Sequence, residues 1–391
     1  MSKKIDDELL SLLVQAEAQR MCLFTEDKRL RAALGRRAWG TCTSIDVVKP
    51  FQSIFARRSY WEGLNPTERT LHTARALAVA HPAWIFSHFT AAVLYGWDVS
   101  YALQELLHVA FPYHYRGYDS EKLIRHTQRE VEFEKVSGVR VTSPLQTLFD
   151  CLSSGGLRQG LPIADSALRS GLVDLDGAMH AFENEKPFCR KRGCRAVIDT
   201  MSHADPRSES GGESIARATM IELGFECPDL QVEFEDPLNP GKKIRVDFRW
   251  KLKDGTQILG ELDGKQKYTD AALTGGRDAI EFLTAERLRE SRLSITGSRI
   301  MRFSFSDVCD PIYFSALLNS FGVPRVRNAR TNLSALHSLR SSGPYDELPP
   351  LSSYEDILAE YEPPRPRGGC LQRNHLRWDA AEGMDSCYLD K

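Results

Sequence analysis

Three carboxylates fall close together in this chain: Asp247 in Ile244-Arg245-Val246-Asp247-Phe248, then Glu261 and Asp263 in Leu259-Gly260-Glu261-Leu262-Asp263-Gly264. Acids gathered on one surface repel one another unless a cation neutralises them, and oxygen-only ligands suit Mg2+ or Mn2+. A divalent ion held in this way supports phosphodiester hydrolysis, because it stabilises the charge that develops and activates water. Asp247, Glu261 and Asp263 are therefore candidate metal ligands.

Those acids need a sheet to position them. Ile244, Val246, Phe248 and Trp250 alternate with Arg245, Asp247 and Arg249, the period of a half-buried strand. Asp254-Gly255 marks a turn, and residues 256–263 run up the neighbouring strand. Two loops are open. With Asp254-Gly255 alone as the loop, Asp247 pairs with Leu262, and Glu261 lies on the other side of the sheet. With Lys253 in the loop and Gly255 left-handed, Asp247 pairs with Glu261. A slip of one residue moves every side chain to the opposite face, so the site depends on which loop forms.

Upstream, Ser208-Glu209-Ser210-Gly211-Gly212-Glu213 leads into an apolar-periodic segment closed by Gly224, the start and stop signals of a helix. Glu213 in its first turn is either a dipole-matched cap or a fourth acid of the site. A second helix is expected over about 278–296, acidic at its start and basic at its end. Arg289 and Arg292 are three apart on one face of it, a phosphate-contacting patch or a set of helix-end stabilisers.

The order of a helix with Glu213, a strand with Asp247, and then Glu261-Leu262-Asp263-Gly264 resembles the PD-(D/E)XK restriction-endonuclease fold. Within it, residues 205–322 look most like the very-short-patch-repair-like branch of uncharacterised actinobacterial proteins. The resemblance extends through Glu286-Arg287, Arg289 and Arg299-Ile300-Met301-Arg302-Phe303. It implies an αβββαβ core, Mg2+ (or Mn2+) as cofactor, DNA as partner, and Glu213, Asp247, Glu261 and Lys267 as the catalytic set. The chain departs from the pattern at Asp263, which stands where the wider family has the lysine that positions water. Lys267 is the substitute the resemblance offers, with Lys265, a candidate DNA contact beside Arg289 and Arg292, as its competitor.

The N-terminal half reads differently. Residues 84–97 predict a short buried helix capped by Ser87 and ended by Gly96, with strands around Leu106–Phe111 and Val139–Val141 and a helix from Pro144. The Ser87-His88…Ala91-Ala92…Gly96 and Thr142-Ser143-Pro144 elements loosely resemble AbiEi-type antitoxin regulators over residues 55–200. Lys28, Arg29, Arg31, Arg36 and Arg37 cluster, and again Arg57 and Arg58; a DNA-contacting helix and a solvated helix face both have this pattern, and the lack of interleaved aromatic residues favours the solvated face. His88 could serve as a base or ligand, but a core histidine bonded to backbone is the favoured expectation, since no acid or cysteine sits at useful spacing.

The fold class expected is α/β, of the α+β kind. A mostly helical α+β domain spans 1–200, a linker 201–212, a restriction-endonuclease-like domain 213–324, and a disordered, flexible tail 325–391. A length of 391 residues accommodates two or three domains. The net charge of −2 excludes a uniformly basic nucleic-acid coat but not local basic patches. The nine cysteines form no Cys-x-x-Cys pair, no apolar run reaches membrane-spanning length, and the N-terminus has no secretory signal pattern. A cytoplasmic protein with reduced thiols and no membrane association is expected. Three readings follow: a metal-dependent endonuclease acting on DNA, a non-catalytic DNA-binding regulator or antitoxin on a nuclease scaffold, and an interaction module paired with a toxin or defence-system partner.

Overall fold

Capping side chains and left-handed glycines set most of the element boundaries. The computed structural model describes residues 3–39, 46–112, 121–128, 131–263, 287–289, 291–295 and 297–326. Helices and strands are mixed, and among the described residues the strands form three sheets. The chain divides into two compact units between Ile215 and Ala216.

The first unit opens with α1 (Lys3–Ala18), β1 (Leu23–Phe24), α2 (Lys28–Ala38), β2 (Val47–Phe51) and β3 (Ile54–Arg57). β1 adds to the hairpin, giving the order β1-β3-β2 with both pairings antiparallel. Asp27 starts α2 by accepting from the N–H groups of Arg29 and Leu30. Leu9, Leu13, Leu34 and Phe55 form the core of this part. Several of its basic residues are tied to acids: Arg29 to Glu8 at 3.0 Å, Arg58 to Asp46 at 2.9 Å, and Arg57 to Glu17. Arg37, expected on a solvated face, is instead buried; it donates to Ala33 O at 2.8 Å and pairs with Asp6. A buried guanidinium persists only with such partners.

Next come α3 (Arg58–Glu62) and α4 (Pro66–Ala80), the latter started by a reciprocal Asn65/Glu68 cap. The second sheet contains β4 (Ile85–Phe86), β5 (Leu107–Pro112), β6 (Leu123–Gln128), β7 (Phe133–Val136) and β8 (Val139–Thr142), in the order β6-β5-β4-β8-β7. After β4, α5 (His88–Tyr95) ends at Gly96, with φ +79. Ser87 precedes it as expected, but its Oγ meets His88 Nδ1 at 3.2 Å and makes no capping hydrogen bond. Four helices follow: α6 (Pro144–Ser154), α7 (Leu157–Arg169), α8 (Leu175–Asn184) and α9 (Cys194–Met201). They close on Phe149, Ile163, Phe182 and Val197.

The stretch expected to be a linker is packed. Ser208 is fully buried, its Oγ lies 2.8 Å from Ser214 Oγ, and Asp205 N donates to Asp165 at 2.8 Å. These bonds fix the approach to α10 (Gly211–Glu222).

In the second unit, β9 (Asp229–Glu235), β10 (Lys243–Lys251) and β11 (Gln257–Asp263) form an antiparallel meander. Helical residues 287–289 and 291–294 precede β12 (Arg299–Ser304), which pairs parallel to β11. The sheet order is β12-β11-β10-β9. α11 (Phe305–Cys309) and α12 (Pro311–Phe321) follow, and Phe314 packs on Phe303, which stacks on Phe248. Arg325 and Val326, placed by sequence in the tail, are anchored: Arg325 Nη1 donates to Leu223 O at 3.1 Å and Val326 N to Gly224 O at 3.0 Å. The rest of the expected tail, 327–391, lies outside the described residues. No helix among the described residues is long and apolar enough to cross a membrane.

Candidate active site

The hairpin takes the longer of the two loops. Leu252 N donates to Thr256 O at 2.8 Å and Gly255 N to Leu252 O at 3.0 Å, so Lys253 belongs to the loop. Gly255 sits at φ +85, a backbone that glycine adopts without penalty. The resulting pairs run from Lys251↔Gln257 to Phe248↔Gly260. Carried one residue further, this register sets Asp247 beside Glu261.

The backbone ladder stops at that step. Asp247 Oδ2 accepts from Leu262 N at 3.0 Å, so a carboxylate does the work of a backbone acceptor. On the neighbouring β9, Gln231 has φ +51 and lies between Val232 and Leu230, the partners of Val246 and Phe248. Burial along β10 alternates as the sequence predicts, yet the buried residues serve two clusters. Ile244 and Val246 pack with Leu259 and Leu293, whereas Phe248 stacks with Phe303 and Trp250. The irregularity is centred on Asp247.

Glu261 is buried, and Arg289 Nη2 lies 2.6 Å from its Oε1. Arg289 Nη1 also donates to Arg245 O at 3.0 Å. Burial raises the proton affinity of Glu261; the Arg289 charge opposes this and the Asp247 charge adds to it. Asp263 has a different partner. Arg302, 39 residues downstream, reaches both its oxygens from Nε, at 3.2 and 3.1 Å, and adds a close Nη2 contact.

Sequence reasoning held that the converging acids need a cation. The structure instead sets two guanidiniums among the three carboxylates. A hard divalent ion still suits part of the set. Asp247 Oδ2 is turned to one backbone N–H, and Glu261 is buried with Arg289 as its ion-pair partner. Both residues fit a cation. Asp263, expected as a third ligand, does not fit, because Arg302 holds both its oxygens. Arg302 was missed as a site residue: the parallel β11/β12 pairing that sets it opposite Glu261 leaves no local periodic signal.

The remaining expected residues are placed as follows. Glu213 is a helix cap: Oε2 accepts from Glu209 N and Oε1 from Ser210 Oγ, both at 2.9 Å, while Ser210 Oγ accepts from Glu213 N at 3.3 Å. Arg292 donates to Asp236 Oδ2 at 2.8 Å and to Leu288 O at 3.0 Å. The two arginines expected to contact phosphate thus both hold protein carboxylates. Lys265 and Lys267 lie outside the described residues.

Comparison with known proteins adds sequence relatives only. The chain is 32% identical over 162 residues to an uncharacterised protein of Mycobacterium tuberculosis strain CDC 1551 / Oshkosh, and equally to one of strain ATCC 25618 / H37Rv. The match covers 41% of this chain, and the chain spans 56% of the length of those curated relatives. No protein-family profile and no solved structure matches.

Proposed function

We propose that the second unit is a divalent-cation-dependent endodeoxyribonuclease module of the PD-(D/E)XK kind, with Asp247 and Glu261 as the ligands of Mg2+ or Mn2+. One observation carries this reading: Asp247, whose Oδ2 accepts from Leu262 N, stands near enough to the buried Glu261 for its charge to act on it, on the central strands of a sheet whose elements follow in helix–strand–strand–strand–helix–strand order. When bound, the cation would stabilise charge on the scissile phosphate. The chain's own residues do the rest. The Leu262 N–H orients Asp247, Arg289 balances Glu261 in the cation-free state, and Arg302 holds Asp263 away from the ligand set. Lys267 keeps its proposed role of positioning water, and Lys265 that of contacting DNA. Glu213 serves as a cap rather than as a fourth acid, and Arg289 and Arg292 act first as intramolecular partners. The reading includes a cytoplasmic setting and, from the antitoxin-like first unit, a toxin or defence-system partner.

The test is incubation of the full chain with supercoiled plasmid and Mg2+ or Mn2+. Nicking by the parent, and its loss in Asp247→Ala and Glu261→Ala variants of unchanged circular dichroism, is expected. Cleavage by Asp247→Ala at the parental rate would place the chemistry elsewhere.

A second reading, a DNA-binding regulator on a nuclease scaffold, is favoured by the arginine partners of Glu261 and Asp263. It expects no nicking by the parent but salt-dependent DNA binding.

A further inference from the structure

β5 and β6 run parallel, with His108 opposite Ile124 and Ala110 opposite His126. His108 and His126 therefore share a face of the sheet, offset by two residues. On the other side of β5, Ser87 N donates to His108 O at 3.0 Å, and Thr90 Oγ1 accepts from His108 N at 2.8 Å. These bonds pin the start of α5 against β5 and bring in a third imidazole, His88. Its backbone is left-handed, at φ +48, a conformation that costs a non-glycine residue energy and that clusters at ligand sites.

One donor nitrogen from each of the three rings lies within 4.8 Å of the other two. His108 Nδ1 and His126 Nε2 are 2.9 Å apart, and the His88 ring stacks on His126 with centroids at 3.5 Å. Behind them stands Asp150 on α6, its Oδ2 3.8 Å from His88 Nδ1. Gln128 Nε2 at 3.1 Å and Gln146 Nε2 at 2.7 Å donate to the two Asp150 oxygens, and Lys191 Nζ donates to Gln146 Oε1 at 3.2 Å. His88, expected to bond backbone and to lack an acid, has hydroxyl, imidazole and carboxylate neighbours.

We propose that His88, His108 and His126 form a binding site for a first-row transition-metal dication of the zinc class, with Asp150 orienting His88. Imidazole nitrogens select zinc, cobalt, nickel or copper over the oxygen-seeking Mg2+ and Ca2+, so this site is chemically distinct from the acids of the second unit. The neutral imidazole ring is the ligand form. A hydrogen-bonded imidazole pair would account for His108 and His126, but not for a third ring held beside them by a strained backbone. Tetrahedral zinc with bonds of about 2.0 Å needs nitrogens roughly 3.3 Å apart, so the near-parallel rings must part by a few tenths of an ångström and turn until their in-plane lone pairs converge. A carboxylate hydrogen-bonded to a ligating histidine is its usual support; Asp150 Oδ2, at 3.8 Å from His88 Nδ1, would reach that bond once the ring turns. Three protein ligands leave a fourth position for water, the ligand count of catalytic zinc.

The test strips the full chain with a chelator and titrates Zn2+ against a chromogenic competitor, with Co2+ as the spectroscopic probe. The parent should bind one Zn2+ at this site, show tetrahedral Co2+ ligand-field bands, and gain thermal stability on adding Zn2+. His126→Gln should weaken binding by about 10²-fold or more and Asp150→Asn by about 10-fold, whereas Asp247→Ala should retain it. A parent that takes up no Zn2+, or His126→Gln binding as the parent does, would overturn the site. So would binding lost in Asp247→Ala and kept in His126→Gln. If His126→Gln does not fold, the Co2+ spectrum of the parent decides: bands of a tetrahedral nitrogen set support the site and their absence refutes it.

Discussion

Asp247, Glu261 and Asp263 come from one hairpin and meet guanidiniums; His88, His108 and His126 come from three separate elements and meet each other. Both groups hold several titratable side chains in a small space, and each avoids self-repulsion differently. Glu261 is balanced by Arg289 and Asp263 by Arg302, while Asp247 accepts from Leu262 N. Among the imidazoles, desolvation first, and repulsion from His126 second, lower the proton affinity of His88 and His108. A charged cluster depends on its partners, whereas a neutral one depends on its burial.

That contrast breaks most visibly at Arg289. Arg289→Ala would strand Glu261 as a buried carboxylate, at a cost of about 3 kcal/mol, read as a fall in urea midpoint in metal-free buffer. Mg2+ should restore part of the loss if Glu261 and Asp247 share a cation. No change in midpoint would mean that Glu261 is solvated, and the distinction between the clusters would fail.

A matched pair of glycines sharpens it. Gly255 (φ +85) turns the β10–β11 hairpin and Gly138 (φ +84) the β7–β8 hairpin, and a Cβ at either meets nothing within 4 Å. Alanine at each should therefore cost only the left-handed backbone, about 1 kcal/mol. Only Gly255→Ala should also weaken Mg2+ binding, because the acidic pair needs the register that this turn sets and neither acid lies on the Gly138 hairpin. Calorimetric titration of both variants checks this; equal Mg2+ affinities would detach the acids from the register.

The smallest effect concerns pH. His72 bonds Tyr60 Oη at 2.8 Å and Glu68 O at 2.7 Å, and burial lowers its affinity for protons below the usual 6.5. As pH falls, the unfolded imidazole takes its proton first. Its contribution to stability is therefore present above pH 6.5 and lost below it, by up to about 1.4 kcal/mol per pH unit. His72→Gln should flatten the stability–pH slope by as much as one proton between neutrality and mild acid. An unaltered slope would show that His72 takes up its proton alike in the folded and unfolded chains.

The acidic hairpin was legible because its signals are short-range: period-two alternation, a turn dipeptide, and a glycine that could stand left-handed. The choice between loops was not, since both are common and only the backbone bonds at Leu252 decide. The arginines were read as facing DNA because a helix face carries no mark of what packs on it. The Arg302–Asp263 pair follows from a parallel strand added 39 residues later. His88 shows the same limit: its neighbours on β5, β6 and α6 are brought to it by sheet order, which residue spacing cannot express. Arg37 likewise looked like one more cation in a basic run until α1 supplied Asp6.

The bonds before α10 have a consequence for protease sensitivity. Ser202 to Ser210 has the composition of a site that a protease opens, with Pro206 and Arg207 exposed. A protease needs several residues to leave their bonds and lie extended in its cleft. Here Arg207 folds back on Asp205, Asp205 N and Ser214 Oγ both donate to Asp165, and Arg169 holds Ser208 O. Trypsin should thus pass over the native Arg207–Ser208 bond, and a fragment begun at residue 213 would lose Glu209 and Ser210, the partners that close the Glu213 cap.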